Sequence, residues 1–80
     1  MSYDDSDLFF LQQIGLHLKY YRIHQGLTQE ELAEIAGFSR SYYTEIETGK
    51  RNISILNLHK LCLALDIPLV NVLDFKSFPV

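Results

Sequence analysis

Apolar residues recur at intervals of three or four along most of this 80-residue chain, which is the spacing of one face of an α-helix. The strict apolar–polar alternation of a β-strand is absent, and so are repeats and low-complexity tracts. Glycine and proline divide the helical pattern into short segments. The sequence therefore predicts a compact all-α domain, residues 1–80, built from five helices.

The first predicted helix runs from about Asp7 to Gln25, with Ser6 or Asp7 as its N-cap, and Gly26 ends it. Residues 1–6 are expected to form an acidic tail in front of this helix. The buried stripe of the helix has the spacing i, i+4, i+7 and consists of Ile14, Leu18 and Tyr21.

A sharp turn joins the second and third predicted helices. Thr28 and Glu31 have the spacing of a capping box, so the second helix begins at Thr28. Gly37 supplies the positive φ that the turn needs, and Ser39 caps a third helix that runs to Thr48. The inward-facing residues of the second helix are predicted to be Leu32, Ile35 and Ala36.

The third helix carries an arc of polar side chains, while Tyr43 and Ile46 turn inward. The residues of the outward arc are Arg40, Ser41, Thr44, Glu45 and Thr48. Arginine can donate two hydrogen bonds to guanine, and a carboxylate can accept one from cytosine. Glu45 could instead orient Arg40, and Tyr42 at the edge of the arc could reach a base or a phosphate. The pattern favours a helix that enters the major groove.

Candidate phosphate contacts flank this helix on both sides. Gln29 opens the second helix, where the side chain and the free backbone N–H groups suit a phosphate. Lys50, Arg51 and Asn52 form a basic loop that could hold the DNA backbone on the other flank. Ser39, at the start of the third helix, completes the candidate phosphate contacts.

Two further helices are predicted, from about Ser54 to Leu65 and from Pro68 to about Leu73, followed by a tail over residues 75–80. Proline suits the first turn of a helix because it has no N–H to leave unpaired. The inward positions of the fourth helix keep a period of 3.6 residues and are Ile55, Leu58, Leu61, Cys62 and Leu65.

Some apolar residues lack an obvious inward role, and an exposed apolar patch on a small domain usually marks a partner surface. The candidate dimer interface consists of three such residues, Leu63, Leu69 and Val70. A two-fold dimer through the fourth and fifth helices would place the two copies of the third helix about 34 Å apart, which is one turn of DNA. Leu16 and Ile23, or the two phenylalanines of the C-terminal tail, could instead complete the interface.

The net charge of −3 at pH 7 at first argues against a nucleic-acid partner. Yet five of the seven basic residues lie between positions 19 and 51, while acidic residues cluster in the first seven residues and at 30–34. Since phosphate contact depends on the local patch, the basic middle of the chain can still meet DNA. Ordinary solvated charges are the simpler alternative.

The candidate chemistry is otherwise sparse. A single cysteine, Cys62, excludes an intrachain disulfide and a multi-cysteine metal site, and we predict a packed thiol. His17, His24 and His59 are scattered and predicted to lie on the surface. We expect no metal, no cofactor and no enzyme, because no nucleophile–base pair or phosphate-binding loop is present. The start lacks the pattern of a signal peptide and no segment could span a membrane, so a cytoplasmic protein is expected.

Residues 14–73 resemble the helix-turn-helix family of phage Cro and cI repressors, also called the xenobiotic-response-element family. The resemblance is carried by Ile14 and Gly15, Leu18, Arg22, residues 26–33, Gly37, residues 39–41, Ile46 and Glu47, and residues 49–52 and 58–65. Within the family the chain is most like the dimeric controller proteins of restriction–modification systems, which activate and repress their own operon. That narrower likeness rests on Arg40, Tyr42, Thr44 and residues 49–52.

The resemblance implies a dimeric transcriptional regulator, with a repressor-like fold, that binds a palindromic operator. It implies that Gln29 contacts phosphate and that Arg22 and Glu47 form a buried ion pair between the first and third helices. Glu30 and Glu34 match an acidic activation patch that could face the sigma subunit of RNA polymerase, or they simply complement the helix N-terminus. The base-reading or near-reading positions that it implies are Arg40, Ser41, Tyr42, Thr44 and Glu45.

The chain departs from the family pattern at two positions. Tyr43 stands where a β-branched residue is usual, and Ile53 stands where proline is common. Two alternatives to a controller-type regulator stay open. One is an antitoxin that represses its own operon, and the other is a protein-interaction module that kept the fold without binding DNA. The acidic balance and the exposed apolar residues favour the second.

Overall fold

The structure, a computed structural model, describes residues 2–76. Within that range the chain forms five helices. The helices are α1 (Asp5–His24), α2 (Gln29–Ala36), α3 (Arg40–Glu47), α4 (Ile55–Leu65) and α5 (Leu69–Leu73). Helix α1 packs against α3 and α5, and α2 packs against α3 and α4. The all-α prediction is confirmed, and none of the described helices is long and apolar enough to cross a membrane.

The start of α1 differs from the prediction, because Asp4 and not Ser6 or Asp7 is the N-cap. Asp4 Oδ1 accepts a hydrogen bond from the backbone N–H of Asp7 at 2.8 Å, and the Asp7 carboxylate accepts one from the N–H of Asp4 at 3.2 Å. Two aspartates three residues apart thus form a reciprocal capping box. Residues 5 and 6 are helical as a result, and the acidic tail is shorter than predicted.

The turn between α2 and α3 follows the sequence prediction. Thr28 Oγ1 accepts from the N–H of Glu31 at 3.0 Å, and Glu31 Oε1 accepts from the N–H of Thr28 at 2.8 Å. Gly37 takes the left-handed conformation with φ of 85°. Ser39 Oγ then caps α3 by accepting from the N–H of Tyr42 at 3.1 Å. The capping residues therefore fix where both helices begin.

Helix α1 lies directly against the C-terminal end of α3. A Cβ built on Gly15 would come within 2.7 Å of the carbonyl oxygen of Ile46. A Cβ built on Gly49, whose φ is +77°, would come within 2.8 Å of Gln12 Cα. Glycine is needed at both positions because a side chain there would push α1 away from the end of α3 and the turn that follows it. This close contact determines the position of α3 relative to the rest of the domain.

The predicted inward faces are correct for most residues but wrong at two isoleucines. The fully buried core includes Leu18, Leu32, Ile46, Leu61 and Leu65. Ile35 is 58% exposed and Ile55 is 65% exposed. Helix α2 has only eight residues and buries a narrow stripe, and Ile55 lies in the first turn of α4, beyond the edge of the core. Periodicity alone does not predict where a short helix leaves the core.

His17 is also misplaced by the sequence prediction, since only 1% of it is exposed. Its Nδ1 lies 2.7 Å from the carbonyl oxygen of Gln13, and its ring lies 5.1 Å from the ring of Phe75. Phe75 also packs on Phe10, with ring centroids 5.5 Å apart. The first residue of the predicted C-terminal tail is therefore held against α1. The second phenylalanine of that tail lies outside the described residues.

Candidate nucleic-acid interface

The outward arc of α3 lies on the surface as predicted, and its inward residues are buried. Tyr43 is fully buried and Ile46 is 1% exposed, whereas Arg40, Ser41 and Thr48 are exposed. The hydrogen bonds and ion pairs among residues 2–76 involve neither the Arg40 guanidinium nor the Ser41 hydroxyl. Both groups lie in the first turn of α3 and are available to a ligand.

A buried ion pair holds α3 to α1. Arg22 Nε donates to Glu47 Oε2 at 2.8 Å, and Arg22 Nη2 donates to Glu47 Oε1 at 3.0 Å. Arg22 Nη1 also donates to the carbonyl oxygen of Leu27 at 2.7 Å. Burial by itself raises the pKa of the Glu47 carboxyl, but hydrogen bonds from Arg22 and Gln29 outweigh it and lower that pKa overall. Glu47 is thus a buried anion whose charge is balanced by Arg22 within the protein.

Tyr43 lies beside this pair in the core. Its hydroxyl has no hydrogen-bond partner in good geometry among residues 2–76. Burial, followed by the nearby Glu47 carboxylate, raises the pKa of Tyr43 far above its ordinary value. Burial therefore favours the neutral phenol, and the ring packs in the core under α3.

Gln29 bridges α2 and α3 through both ends of its side-chain amide. Its Nε2 donates to Glu47 Oε1 at 3.0 Å, and its Oε1 accepts from the Thr44 hydroxyl at 3.0 Å. The amide is therefore engaged within the protein, and a phosphate at the start of α2 would meet backbone N–H groups. The Thr44 hydroxyl has already used its proton, so its oxygen can only accept a further hydrogen bond.

Glu45 pairs with Arg51 and does not orient Arg40. Glu45 Oε1 accepts from Arg51 Nη2 at 2.7 Å and from Arg51 Nε at 3.0 Å. The turn after α3 directs the chain back, because the N–H of Lys50 donates to the carbonyl oxygen of Glu45 at 2.8 Å. Arg51 therefore reaches Glu45 along the helix surface, whereas Arg40 begins the helix and stays separate. About half of each paired side chain is exposed, so the pair is open to exchange.

Tyr42 is held on three sides. Its hydroxyl accepts a hydrogen bond from Asn57 Nδ2 at 2.8 Å. Its ring packs edge-on against Phe38 at 5.1 Å, and the Arg51 guanidinium lies over the ring at 5.1 Å from the centroid. Asn57 was not among the predicted site residues. The available signal was a polar residue three positions after the cap of α4, in an otherwise apolar turn.

The loop after α3 carries the remaining phosphate candidates. Lys50 and Asn52 are exposed, and Lys50 forms no ion pair within residues 2–76. Ser39 Oγ accepts the cap hydrogen bond, which leaves its proton free to donate. Arg51 connects this loop to α3 through its contacts with Glu45 and the Tyr42 ring. The exposed basic side chains of this region are Arg40, Lys50 and Arg51.

The other predicted surface residues differ in exposure. Leu63 is 65% exposed and Val70 is 62% exposed, but Leu69 is half-buried against the core, contrary to its predicted outward position. Glu30 and Glu34 are exposed on α2. The Cys62 thiol is buried as predicted, and burial raises its pKa to about 11.

The sequence matches known proteins over most of its length. A family model described as helix-turn-helix, HTH_3, matches residues 18–71, about two thirds of the chain. The uncharacterized HTH-type transcriptional regulator y4dJ of Sinorhizobium fredii is 37% identical over 54 residues, which cover 68% of this chain and 70% of y4dJ. The HTH-type transcriptional regulator SinR of Bacillus subtilis is 41% identical over 64 residues, covering 79% of this chain and 58% of SinR.

A solved structure matches in fold as well as in sequence. The restriction-modification controller protein C.AhdI of Aeromonas hydrophila superposes with a TM-score of 0.76 at 42% identity. The match covers 78% of this chain and 94% of that protein. Residues 18–71, which the family model matches, include α2, the turn and α3, the elements that carry the exposed arc.

Proposed function

Because this chain belongs to the helix-turn-helix family of DNA-binding transcriptional regulators, we propose that it reads a short palindromic operator as a homodimer. Helix α3 enters the major groove in each half-site. The observation that carries this proposal is that the Arg40 and Ser41 side chains are exposed and form no hydrogen bond within residues 2–76, on a helix that the buried pair of Arg22 and Glu47 joins to α1. A rigid platform limits the entropy that the reading side chains lose on binding.

Each reading residue has a chemical role set by its contacts. Arg40 donates two hydrogen bonds to guanine, and Ser41 donates to or accepts from a neighbouring base. Thr44 accepts, because its proton is directed to Gln29. Glu45 accepts from cytosine once Arg51 moves to a phosphate. Tyr42 contributes at the edge of this set, on the side of the loop.

The phosphate contacts form a clamp on both sides of α3. The start of α2 at Gln29 offers backbone N–H groups on one flank. Ser39 lies at the start of α3, and Lys50, Arg51 and Asn52 lie on the other flank. Such contacts fix the position of α3 without reading sequence.

The dimer forms through α4 and α5, where Leu63 and Val70 are exposed. Two-fold pairing places the two reading helices about 34 Å apart. Because the chain has a net charge of −3, one half-site alone binds weakly, and two linked half-sites supply the affinity. The likeness to C.AhdI supports a restriction–modification controller in particular. Glu30 and Glu34 then offer an acidic surface to the sigma subunit of RNA polymerase.

The proposal is tested by binding to DNA selected from a random duplex library, measured by fluorescence anisotropy at several salt concentrations. Arg40→Ala should cost about 1–3 kcal/mol and relax discrimination at one base pair of each half-site. Lys50→Ala should weaken all sequences alike and reduce the salt slope by about one unit per half-site.

Two outcomes would contradict the proposal. If the wild-type protein enriches no sequence, the domain is a protein-interaction module and not a DNA reader. If it enriches a sequence but Arg40→Ala binds with unchanged affinity and specificity, α3 does not dock as described.

A further inference from the structure

The Tyr42 hydroxyl and the Asn57 amide form a hydrogen bond between α3 and α4 at 2.8 Å. A phenol oxygen has one proton to donate and lone pairs to accept with. Since Asn57 Nδ2 is the donor, the Tyr42 proton is not used in this bond. The bond therefore leaves the phenol with a donor, directed away from Asn57.

The Tyr42 ring is held by Phe38, which packs edge-on against it. In the absence of DNA the Arg51 guanidinium also lies over the ring. Because the Tyr42 ring contacts Arg51 of the loop after α3 and its hydroxyl contacts Asn57 of α4, the side chain lies between that loop and the start of α4. The partner that this position would meet is the DNA backbone or the outer base of the half-site.

Asn57 also takes part in the cap of α4, through its backbone. Its backbone N–H donates to Ser54 Oγ at 3.1 Å, which caps α4, and its side chain is half-buried. The cap hydrogen bond uses the backbone N–H of Asn57 and not its side-chain amide. Replacing the Asn57 side chain therefore removes the bond to Tyr42 and keeps the start of α4.

We propose that Asn57 is a positioning residue that presents the Tyr42 hydroxyl to DNA as a hydrogen-bond donor. The inference rests on the proposed function, since it concerns how this domain meets its operator. Asn57 acts through Tyr42 and does not touch the DNA. The group on the DNA must then be an acceptor, which is either a phosphate oxygen or the N7 of a purine.

The test is a double-mutant cycle on the selected operator, read by anisotropy. Tyr42→Phe should weaken binding about tenfold and Asn57→Ala about threefold, within the range of one hydrogen bond. In the Tyr42→Phe background, Asn57→Ala should have no further effect. Asn57→Asp should bind at least as weakly as Tyr42→Phe, because the Tyr42 hydroxyl would then donate its hydrogen bond to the carboxylate and no longer to the DNA. His59→Ala, an exposed change on the same helix, is the matched control and should bind like the wild type.

Modified operators identify the acceptor. A methylphosphonate at the contacted phosphate should remove the difference between wild type and Tyr42→Phe, whereas 7-deazapurine should do so if the acceptor is a base. Thermal unfolding by circular dichroism checks that each variant is folded at the assay temperature.

The inference is overturned if Asn57→Ala costs the same in both backgrounds, which would mean a direct DNA contact, or if it costs nothing in the wild type. A wild-type protein that enriches no operator would instead refute the proposed function itself, and the inference with it.

Discussion

The buried pair of Arg22 and Glu47 makes a quantitative prediction for Glu47→Gln. The change keeps the shape of the side chain but removes the charge that two Arg22 nitrogens contact at 2.8 and 3.0 Å. Only 4% of the Glu47 side chain and 11% of the Arg22 side chain are exposed, so water cannot replace the lost partner well. Removing one member of a buried pair costs about 3–5 kcal/mol.

The lower end of that range applies here. Arg22 keeps its hydrogen bond to the carbonyl oxygen of Leu27, and the new amide oxygen can still accept from Arg22 or Gln29. We therefore expect Glu47→Gln to lower the free energy of unfolding by about 3 kcal/mol. In a domain of this size that corresponds to a fall in Tm of roughly 12–24 °C. Urea and thermal unfolding by circular dichroism measure both quantities.

The pH dependence follows from the lowered pKa of Glu47 in the folded state. A carboxyl whose folded pKa lies below its unfolded pKa stabilises the fold fully above the unfolded value of about 4.3. That stabilisation falls as the pH drops through the folded pKa. As the pH is lowered below about 5, the free energy of unfolding of the wild type should therefore fall more than that of Glu47→Gln. Urea unfolding of both proteins at each pH measures the difference.

The matched control is Glu45→Gln, which removes a carboxylate from the exposed pair with Arg51. Exposed pairs contribute about 0–1 kcal/mol, so this variant should unfold almost like the wild type. The reasoning would be refuted if Glu47→Gln cost less than about 1 kcal/mol, or if the two variants cost the same.

The remaining predictions concern packing, charge and assembly. Gly15→Ala should destabilise the domain by about 1–3 kcal/mol in urea unfolding, because its Cβ would meet the carbonyl groups at the end of α3. Glu45→Gln should release Arg51 and raise the affinity for non-specific DNA at low salt, measured by anisotropy, while discrimination at one base pair falls. Leu63→Asp and Val70→Asp should each shift the protein toward a monomer in analytical ultracentrifugation and weaken operator binding more than half-site binding.

The helix boundaries could be predicted well because capping residues are local. Thr28, Ser39 and Ser54 each accept from a backbone N–H three residues later, and each marks a helix start that the sequence predicts. The start of α1 differs from the predicted cap at Ser6 or Asp7, because Asp4 and Asp7 cap the helix through reciprocal hydrogen bonds. An aspartate three residues after another aspartate is not the usual capping-box pattern, so the sequence did not predict it.

The arc of α3 could be predicted from helical period, but its hydrogen bonds could not. Which partner Glu45 takes depends on the path of the loop after Gly49, and that path brings Arg51 back to α3. The contact between Tyr42 and Asn57 joins residues 15 positions apart on two helices and requires their packing angle. Periodicity gives the face of a helix and not the group that it meets.

These contacts order some of the candidate reading side chains before DNA binds. Thr44 and Tyr42 are each held by a neighbour behind them, so their side chains lose little freedom on binding. Arg51 is held differently, because it is paired with Glu45, which is also a candidate reader. In the proposed complex Arg51 exchanges Glu45 for a phosphate. That exchange replaces one exposed ion pair with another and costs little. Arg40 and Ser41 carry no such restraint within residues 2–76, so the longer Arg40 side chain should lose the most conformational entropy when it binds a base.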